Sequence, residues 1–172
     1  MPTGALLLAA ARAATPDQLR ALAGPDDARA ALVAALLTSR RPDDAPLLRE
    51  LTRLEIDGVD AAGDGCGDVL LACCWMLFLV GDLADVELIW QAKNLNFDTY
   101  SYIDSVFLIP GGVQMTAEFA KAHGPAGLAD CVEQDWLTDP DELAEQWRNS
   151  AFFAGAPAAT ASVEELARYI SS

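Results

Sequence analysis

The side chains best suited to metal or nucleophilic chemistry are few and widely separated in this sequence. There is one histidine, His123, and there are four cysteines, Cys66, Cys73, Cys74 and Cys131. Zinc sites usually hold paired cysteines at short, regular spacings, and no C-x-x-C pattern occurs here. The adjacent Cys73 and Cys74 lie in the apolar run "VLLACCWMLFLV", which is typical of a buried helix. A ligand set of Cys66, Cys73, Cys131 and His123 would have no familiar spacing, so we expect no metal and no cofactor.

Aspartates offer a second kind of chemistry, because carboxylates bind Ca²⁺ and Mg²⁺. Asp60, Asp64 and Asp68 flank a glycine-rich stretch and could hold Ca²⁺ weakly. Isoprenoid synthases hold Mg²⁺ and a diphosphate on clustered aspartates, but this chain has no DDxxD motif. It also lacks a GxSxG motif and a glycine-rich phosphate loop. We therefore do not expect an enzyme.

The stretch "IWQAKNLNFDTYSYIDSVFL", from Ile89 to Leu108, concentrates aromatic, amide and acidic side chains. Helical spacing places Val86, Ile89 and Trp90 on a core face. Lys93 and Phe97 are expected close to that face. The polar and phenolic residues are left over, and tyrosine and acids are common at sites that bind basic proteins. The residues predicted to contact a partner are Lys93, Asn94, Asn96, Asp98, Tyr100, Tyr102 and Asp104. The alternative is a buried network that joins two helix pairs.

The distribution of charge narrows the choice of partner. The chain has 26 acidic and 11 basic residues, which gives a net charge of −15. Residues 1–60 are close to balanced, whereas residues 61–172 have a net charge of −13. Such a field repels nucleic acid and anionic membranes and attracts a basic protein. The alternative is that the acidic surface serves solubility alone.

Recurrent Pro-Asp steps mark helix starts, because proline suits the first helical position and acids complement the helix dipole. Thr15/Gln18 and Asp139/Glu142 have the spacing of capping boxes, and Asp82/Asp85 and Ser162/Glu165 are looser candidates for helix caps. The predicted helices span residues 5–13, 16–23, 26–40, 43–56, 67–80, 83–95, 100–109, 113–123, 126–136, 140–153 and 163–171.

Details of the central stretch follow from these boundaries. Asn94 and Asn96 are expected to end one helix, and Asp98, Thr99 or Ser101 to cap the next. Tyr100 and Asp104 then form an i, i+4 pair on one helix face, while Ile103, Val106 and Phe107 face the core.

The predicted fold is all-α and forms a single domain over residues 1–172, with a candidate loop joint at 58–68. Short connections suggest antiparallel pairs of helices 26–40 with 43–56, 67–80 with 83–95, and 100–109 with 113–123. Stacked pairs would give an irregular array like HEAT or tetratricopeptide repeats, or a bundle. The longest apolar run has twelve residues, which is too short to span a bilayer. We therefore expect a cytoplasmic protein.

The segment "LVGDLADVELIWQAKNLNFDTYSYID" resembles one found in small, acidic, all-helical and largely uncharacterised proteins of actinobacteria. The shared residues are Gly81-Asp82, Trp90-Gln91-Ala92-Lys93, Asn96-Phe97-Asp98 and Ile103-Asp104. The resemblance covers about a fifth of the chain and implies no established activity. As a class, small acidic all-α proteins are similar to the immunity proteins of bacterial toxin systems.

Three hypotheses follow for the function. The leading one is an acidic protein-binding module, for example an immunity protein that neutralises a basic toxin, with no nucleic-acid or membrane partner. The second is a small-molecule-binding protein or enzyme with a pocket near Trp90, Tyr100 and Asp104. The third is a structural helical-repeat scaffold.

Overall fold

The structure is a computed structural model that describes residues 4–63, 65–133, 140–149 and 161–171. Within these ranges the chain is all-helical and contains no strand. The α-helices are α1 (Gly4–Ala13), α2 (Pro16–Ala23), α3 (Asp26–Ser39), α4 (Ala45–Ala62), α5 (Asp68–Val80), α6 (Asp85–Lys93), α7 (Phe97–Tyr102), α8 (Val113–His123), α9 (Leu128–Val132), α10 (Pro140–Asn149) and α11 (Val163–Ile170). Two 3₁₀ turns, Pro42–Asp44 and Ser105–Leu108, complete the described elements.

Helix starts follow the predicted capping chemistry at two places. Thr15 and Gln18 form a reciprocal capping box at α2, and Ser162 and Glu165 form another at α11. In each box the cap side chain accepts the backbone N–H of the third helical residue, whose own side chain accepts the cap N–H. The predicted box at Asp139 lies outside the described residues.

Helix α5 is the centre of the core. Ten consecutive residues, from Val69 to Phe78, are buried, so no face of this helix reaches solvent over that length. Helices α3, α4 and α6 pack against it, together with the turn Ser105–Leu108. The amphipathic α11 lies against α3, its most extensive neighbour, and α1 lies against α3 as well. The core therefore joins segments from both ends of the described chain.

The predicted helix pairing is only partly reproduced. Helix α3 touches α4, and α5 packs against α6, as the short connections suggested. However, α3 packs far more extensively against α11 and α1, and α8 packs mainly against α9. The packing is thus all-helical, and a regular stack of repeats is not confirmed.

Two predicted boundaries are wrong. The helix predicted at 43–56 continues to Ala62 and ends where Gly63 adopts a left-handed conformation (φ 82°), so the first five residues of the loop predicted at 58–68 are helical. Gly58 does not end α4, because a glycine within a long helix only weakens it. The helix predicted at 100–109 is instead α7 and the turn Ser105–Leu108, which are separated by extended backbone at Ile103.

Several arginines in the first sixty residues form ion pairs with carboxylates of neighbouring elements. Arg12 of α1 donates two hydrogen bonds of 2.7 Å to the buried Asp44 carboxylate. The hydrogen bonds from Arg12 hold the pKa of Asp44 below its ordinary value. Arg49 of α4 likewise reaches Asp85 (Nε–Oδ1, 2.5 Å) and Asp82 (2.7 Å) beside α6. These ion pairs fix the relative orientation of elements whose packing is stabilised mainly by apolar burial.

Among the described residues, no helix combines the length and the apolar character needed to cross a membrane.

The packing of α11 against α3 predicts how substitutions in α11 change the free energy of unfolding. Leu166 is completely buried, so Leu166→Ala should lower the free energy of unfolding by about 2–5 kcal/mol through lost burial and a residual cavity. Urea denaturation followed by circular dichroism measures the change. Glu164→Ala on the exposed face of the same helix should cost less than about 1 kcal/mol. Equal effects of the two substitutions would show that α11 does not contribute to the cooperative core.

Candidate functional site

The junction of α6 and α7 is built around a buried lysine. Lys93, at the end of α6, is only 4% exposed. Its ammonium donates hydrogen bonds to the carbonyls of Tyr100 (2.5 Å) and Ile103 (2.6 Å), and lies 4.6 Å from the centre of the Tyr100 ring. Burial lowers the pKa of Lys93, although nearby thiols and Asp104 oppose that shift. Lys93 thus binds the last turn of α7, whose carbonyls have no partner within the helix.

The start of α7 is fixed by a capping box. The Asn96 side chain accepts the Thr99 N–H (2.9 Å), and the Thr99 hydroxyl accepts the Asn96 N–H (3.1 Å). Thr99 is completely buried, and its hydroxyl also lies 3.1 Å from the Lys93 carbonyl. The predicted caps Asp98, Thr99 and Ser101 are therefore wrong. Asn96, which was expected to end α6, is the residue that begins α7.

The loop before α5 is attached to α7 by two side chains. Asn96 donates to the Gly65 carbonyl and Asp98 accepts the Gly65 N–H, each at 3.0 Å. Gly65 has a positive φ of 79°, a conformation that suits glycine. Both polar groups of one loop residue are thereby satisfied by α7, which places the loop beside the helix.

The outer face of this short helix is aromatic. Phe97 is 82% exposed, Tyr100 52% and Tyr102 41%. We call Phe97, Asp98, Tyr100 and Tyr102 the α7 face. The prediction that Phe97 lies close to the core is wrong, because α6 ends at Lys93 and α7 runs on a new axis. Helical periodicity carried across the break from α6 to α7 assigned Phe97 to the wrong side.

Asp104 has a different environment from the one predicted. It caps the turn Ser105–Leu108 by accepting the Val106 N–H (3.0 Å), and it accepts the Trp147 indole N–H of α10 (2.8 Å). Trp147 also packs edge-on against Phe107, with ring centres 4.8 Å apart. Tyr100 and Asp104 belong to different elements, so the predicted i, i+4 pair on one helix is wrong.

The seven residues predicted to contact a partner are close together in the chain, but some are buried and others are exposed. Lys93 is buried and Asn96 and Asp104 are half-buried, each hydrogen-bonded to other parts of the chain, whereas Asn94, Asp98, Tyr100 and Tyr102 are exposed. Asn94 bonds back to the Trp90 carbonyl (2.8 Å). Phe97 was not among the seven, and its identity as a large apolar residue gave no signal for exposure.

A small cavity opens beside the α7 face. It has a volume of about 370 Å³ and is lined by Cys66, Asp98, Ser101 and Tyr102, and we call it the Cys66 cavity. The Tyr102 hydroxyl donates to Asp68 (2.7 Å), which places a second carboxylate next to the aromatic wall. Burial, reinforced by the charges of Asp68 and Asp98, raises the pKa of the Cys66 thiol to about 12.

All four cysteines are free thiols. In the part of the chain that the structure describes, no three His, Cys, Asp or Glu side chains are grouped so that they could hold a metal ion.

A wider groove lies on the opposite side of α6. It has a volume of about 790 Å³ and is lined in part by Arg53, Glu87, Trp90 and His123. Tyr100 and Asp104 line a separate cavity together with Trp147. The pocket predicted to combine Trp90, Tyr100 and Asp104 is thus divided between two places.

Comparisons with known proteins give no relative: the sequence matches no protein-family model, no curated protein and no solved structure.

The role of Lys93 can be tested by removing its charge. Lys93→Met keeps most of the apolar stem but leaves the Tyr100 and Ile103 carbonyls without their donor. We expect a loss of about 1–3 kcal/mol in the free energy of unfolding. Lys121→Met is the matched control, since Lys121 is exposed and pairs with Glu133 at the surface. Its cost should stay below about 1 kcal/mol. Similar losses for both lysines in urea titrations would contradict the capping role.

The raised pKa of Cys66 predicts slow alkylation. The thiolate is the reactive form, so at pH about 8 iodoacetamide should label Cys66 on the order of 100-fold more slowly than a cysteine in an unfolded peptide. The rate should still rise with pH at pH about 10. Asp98→Asn removes one of the charges that raise the pKa, and it should therefore accelerate labelling. Peptide mapping by mass spectrometry measures the rates, and a plateau below pH about 9 would refute the raised pKa.

Proposed function

We propose that this protein is an acidic protein-binding module whose α7 face docks a basic protein. The observation that carries the proposal is Phe97, a large apolar side chain left 82% exposed on a helix that is fixed from behind. Single exposed apolar residues are ordinary. Three exposed aromatic residues on a six-residue helix form the kind of surface at which binding energy concentrates.

The backbone behind the α7 face supports this function. Lys93 binds the last turn of α7, Asn96 and Thr99 fix the first turn, and Gly65 joins the helix to the neighbouring loop. A helix held at both ends loses little conformational entropy when a partner binds. In the proposal Lys93, Asn96 and Asp104 position the surface, and Asp98, Tyr100 and Tyr102 contact the partner together with Phe97.

Charge favours a basic partner. Asp98 is exposed within the α7 face, and the net charge of residues 61–172 is −13. A negative field of this kind accelerates encounter with a basic protein and disfavours acidic competitors. Neutralisation of a basic toxin, as immunity proteins do, is the biological role that we propose for such a module, acting in the cytoplasm.

The groove beside Trp90 keeps small-molecule binding as a second candidate. Its volume of about 790 Å³ falls within the range of about 300–1,000 Å³ that is common for ligand pockets. A half-buried indole and several polar side chains border it. Trp90→Phe separates the two candidates, since it alters the groove and leaves the α7 face intact.

The test is an affinity measurement with an isolated partner. The full chain serves as bait in an extract of the organism that encodes it, and the captured protein is then purified. Calorimetry should give an affinity about tenfold or more weaker for Phe97→Ala, because a hot-spot aromatic is lost. Asp98→Lys should weaken binding further at about 50 mM salt than at about 300 mM, since salt screens the added repulsion.

Matched substitutions outside the α7 face control this experiment. Met115→Ala removes an exposed apolar side chain from α8, and Glu118→Lys reverses an exposed acid there. Both variants should bind within about twofold of the unmodified chain. The proposal fails if Phe97→Ala and Met115→Ala bind alike, or if affinity is independent of salt.

A further inference from the structure

We propose that the Cys66 cavity receives an arginine side chain of the basic partner, with Asp98 binding the guanidinium and Tyr102 forming the aromatic wall. This inference rests on the proposed function, because it names the side chain that a docked partner inserts beside α7. It assigns a chemical class of ligand to a specific place on the surface.

The dimensions of the cavity suit one side chain. Its volume of about 370 Å³ lies near the lower end of the range for ligand pockets, about 300–1,000 Å³. Asp98, Ser101 and Tyr102 lie three and four residues apart along α7, so all three face the same side of the helix. Cys66 closes the cavity from the adjoining loop.

The carboxylate is held in position before any ligand arrives. One oxygen of Asp98, Oδ2, accepts the Gly65 N–H at 3.0 Å, which restricts the side chain. Asp68 accepts a hydrogen bond of 2.7 Å from the Tyr102 hydroxyl and adds a second negative charge next to that side chain. None of the described residues that line the cavity is basic. The field inside it is therefore negative, in agreement with the raised pKa of the Cys66 thiol.

Arginine fits this arrangement better than lysine. A guanidinium is planar, weakly hydrated and able to stack on an aromatic ring while it donates two parallel hydrogen bonds to a carboxylate. An ammonium is compact and strongly hydrated, and it gains less from an open cavity. The neighbouring Tyr100 already has an internal ammonium, that of Lys93, at 4.6 Å from its ring centre. Among the described residues that line the cavity beside Tyr102, none is a cation.

The experiment titrates the full chain with acetylated and amidated Gly-Arg-Gly, and compares Gly-Lys-Gly and Gly-citrulline-Gly. Amide chemical shifts in two-dimensional NMR at near-physiological salt report the binding site. Shifts should be confined to Gly65, Cys66 and residues 98–102. The lysine peptide should bind about threefold or more weakly, and the uncharged citrulline peptide should produce no saturable shift.

Conservative variants keep the test independent of folding. Asp98→Asn keeps an oxygen for the Gly65 N–H but removes the charge, and it should weaken the arginine peptide about fivefold or more. Tyr102→Leu should weaken it as well, whereas Tyr102→Phe keeps the ring and should bind within about twofold. Glu118→Gln on α8 is the matched control and should bind within about twofold of the unmodified chain.

Several outcomes would overturn the inference. These are shifts spread evenly over acidic residues, equal binding of the lysine peptide, or equal effects of Asp98→Asn and Glu118→Gln. A different result would overturn the proposed function alone: the affinity of a purified partner is unchanged by Phe97→Ala, while the arginine peptide still binds the Cys66 cavity. Conversely, a partner that requires Phe97 but loses no affinity when each of its arginines is replaced by lysine overturns the inference alone.

Discussion

A helix that is apolar on every face must be enclosed on every face, and α5 imposes this constraint on the rest of the chain. From Val69 to Phe78 it has no exposed residue, so neighbours are required on all sides. Helices α3, α4 and α6 and the turn Ser105–Leu108 meet that requirement. Because that turn must reach α5 soon after α6 has packed against it, the intervening α7 is short and stands at the surface. The exposed aromatic face is a geometric consequence of enclosing α5.

The cations of this acidic chain are used in ways that sequence composition does not reveal. Arg12 and Arg49 join separate elements through the buried carboxylates of Asp44 and Asp85, and Lys93 binds carbonyls in the interior. An unpaired ammonium would be costly inside a protein, so its two carbonyl acceptors and the Tyr100 ring are needed to hold it there. Helical spacing placed Lys93 close to the core face, and Lys93 was also predicted to contact a partner. That its ammonium binds the carbonyls of Tyr100 and Ile103 depends on the direction of α7, which the sequence does not indicate.

Much of the helical architecture was predictable because it depends on local chemistry. Apolar periodicity correctly indicated that Ile103, Val106 and Phe107 face the core. The capping box at Thr15 forms as its spacing predicted, and Ser162, a looser candidate, caps α11 as well. These features involve residues within a few positions of one another, so the sequence contains most of the information about them. The packing of α11 against α3 joins distant segments, and no local pattern indicates it.

The sequence indicated where aromatic, amide and acidic residues cluster in the chain, but not the internal geometry of that cluster. Its position follows from composition, since aromatic, amide and acidic residues are concentrated around Asn96. Its geometry depends on where α6 ends and on the direction in which α7 leaves, which decide the exposure of Phe97. The bond from Trp147 to Asp104 depends on the approach of α10, a contact across 43 positions. Side-chain orientation at such a corner is a tertiary property.

Ionisation of the Cys66 thiol is coupled to the binding of a cation beside it. Burial raises its pKa, reinforced by two carboxylates, and a cation that binds beside those carboxylates would add a positive charge close to the sulfur. Such a ligand must lower the pKa of the thiol, because it stabilises the thiolate. Thermodynamic reciprocity then requires that ionising the thiol strengthens binding of the cation by the same factor. The ionisation of this thiol therefore reports the charge of whatever binds beside it.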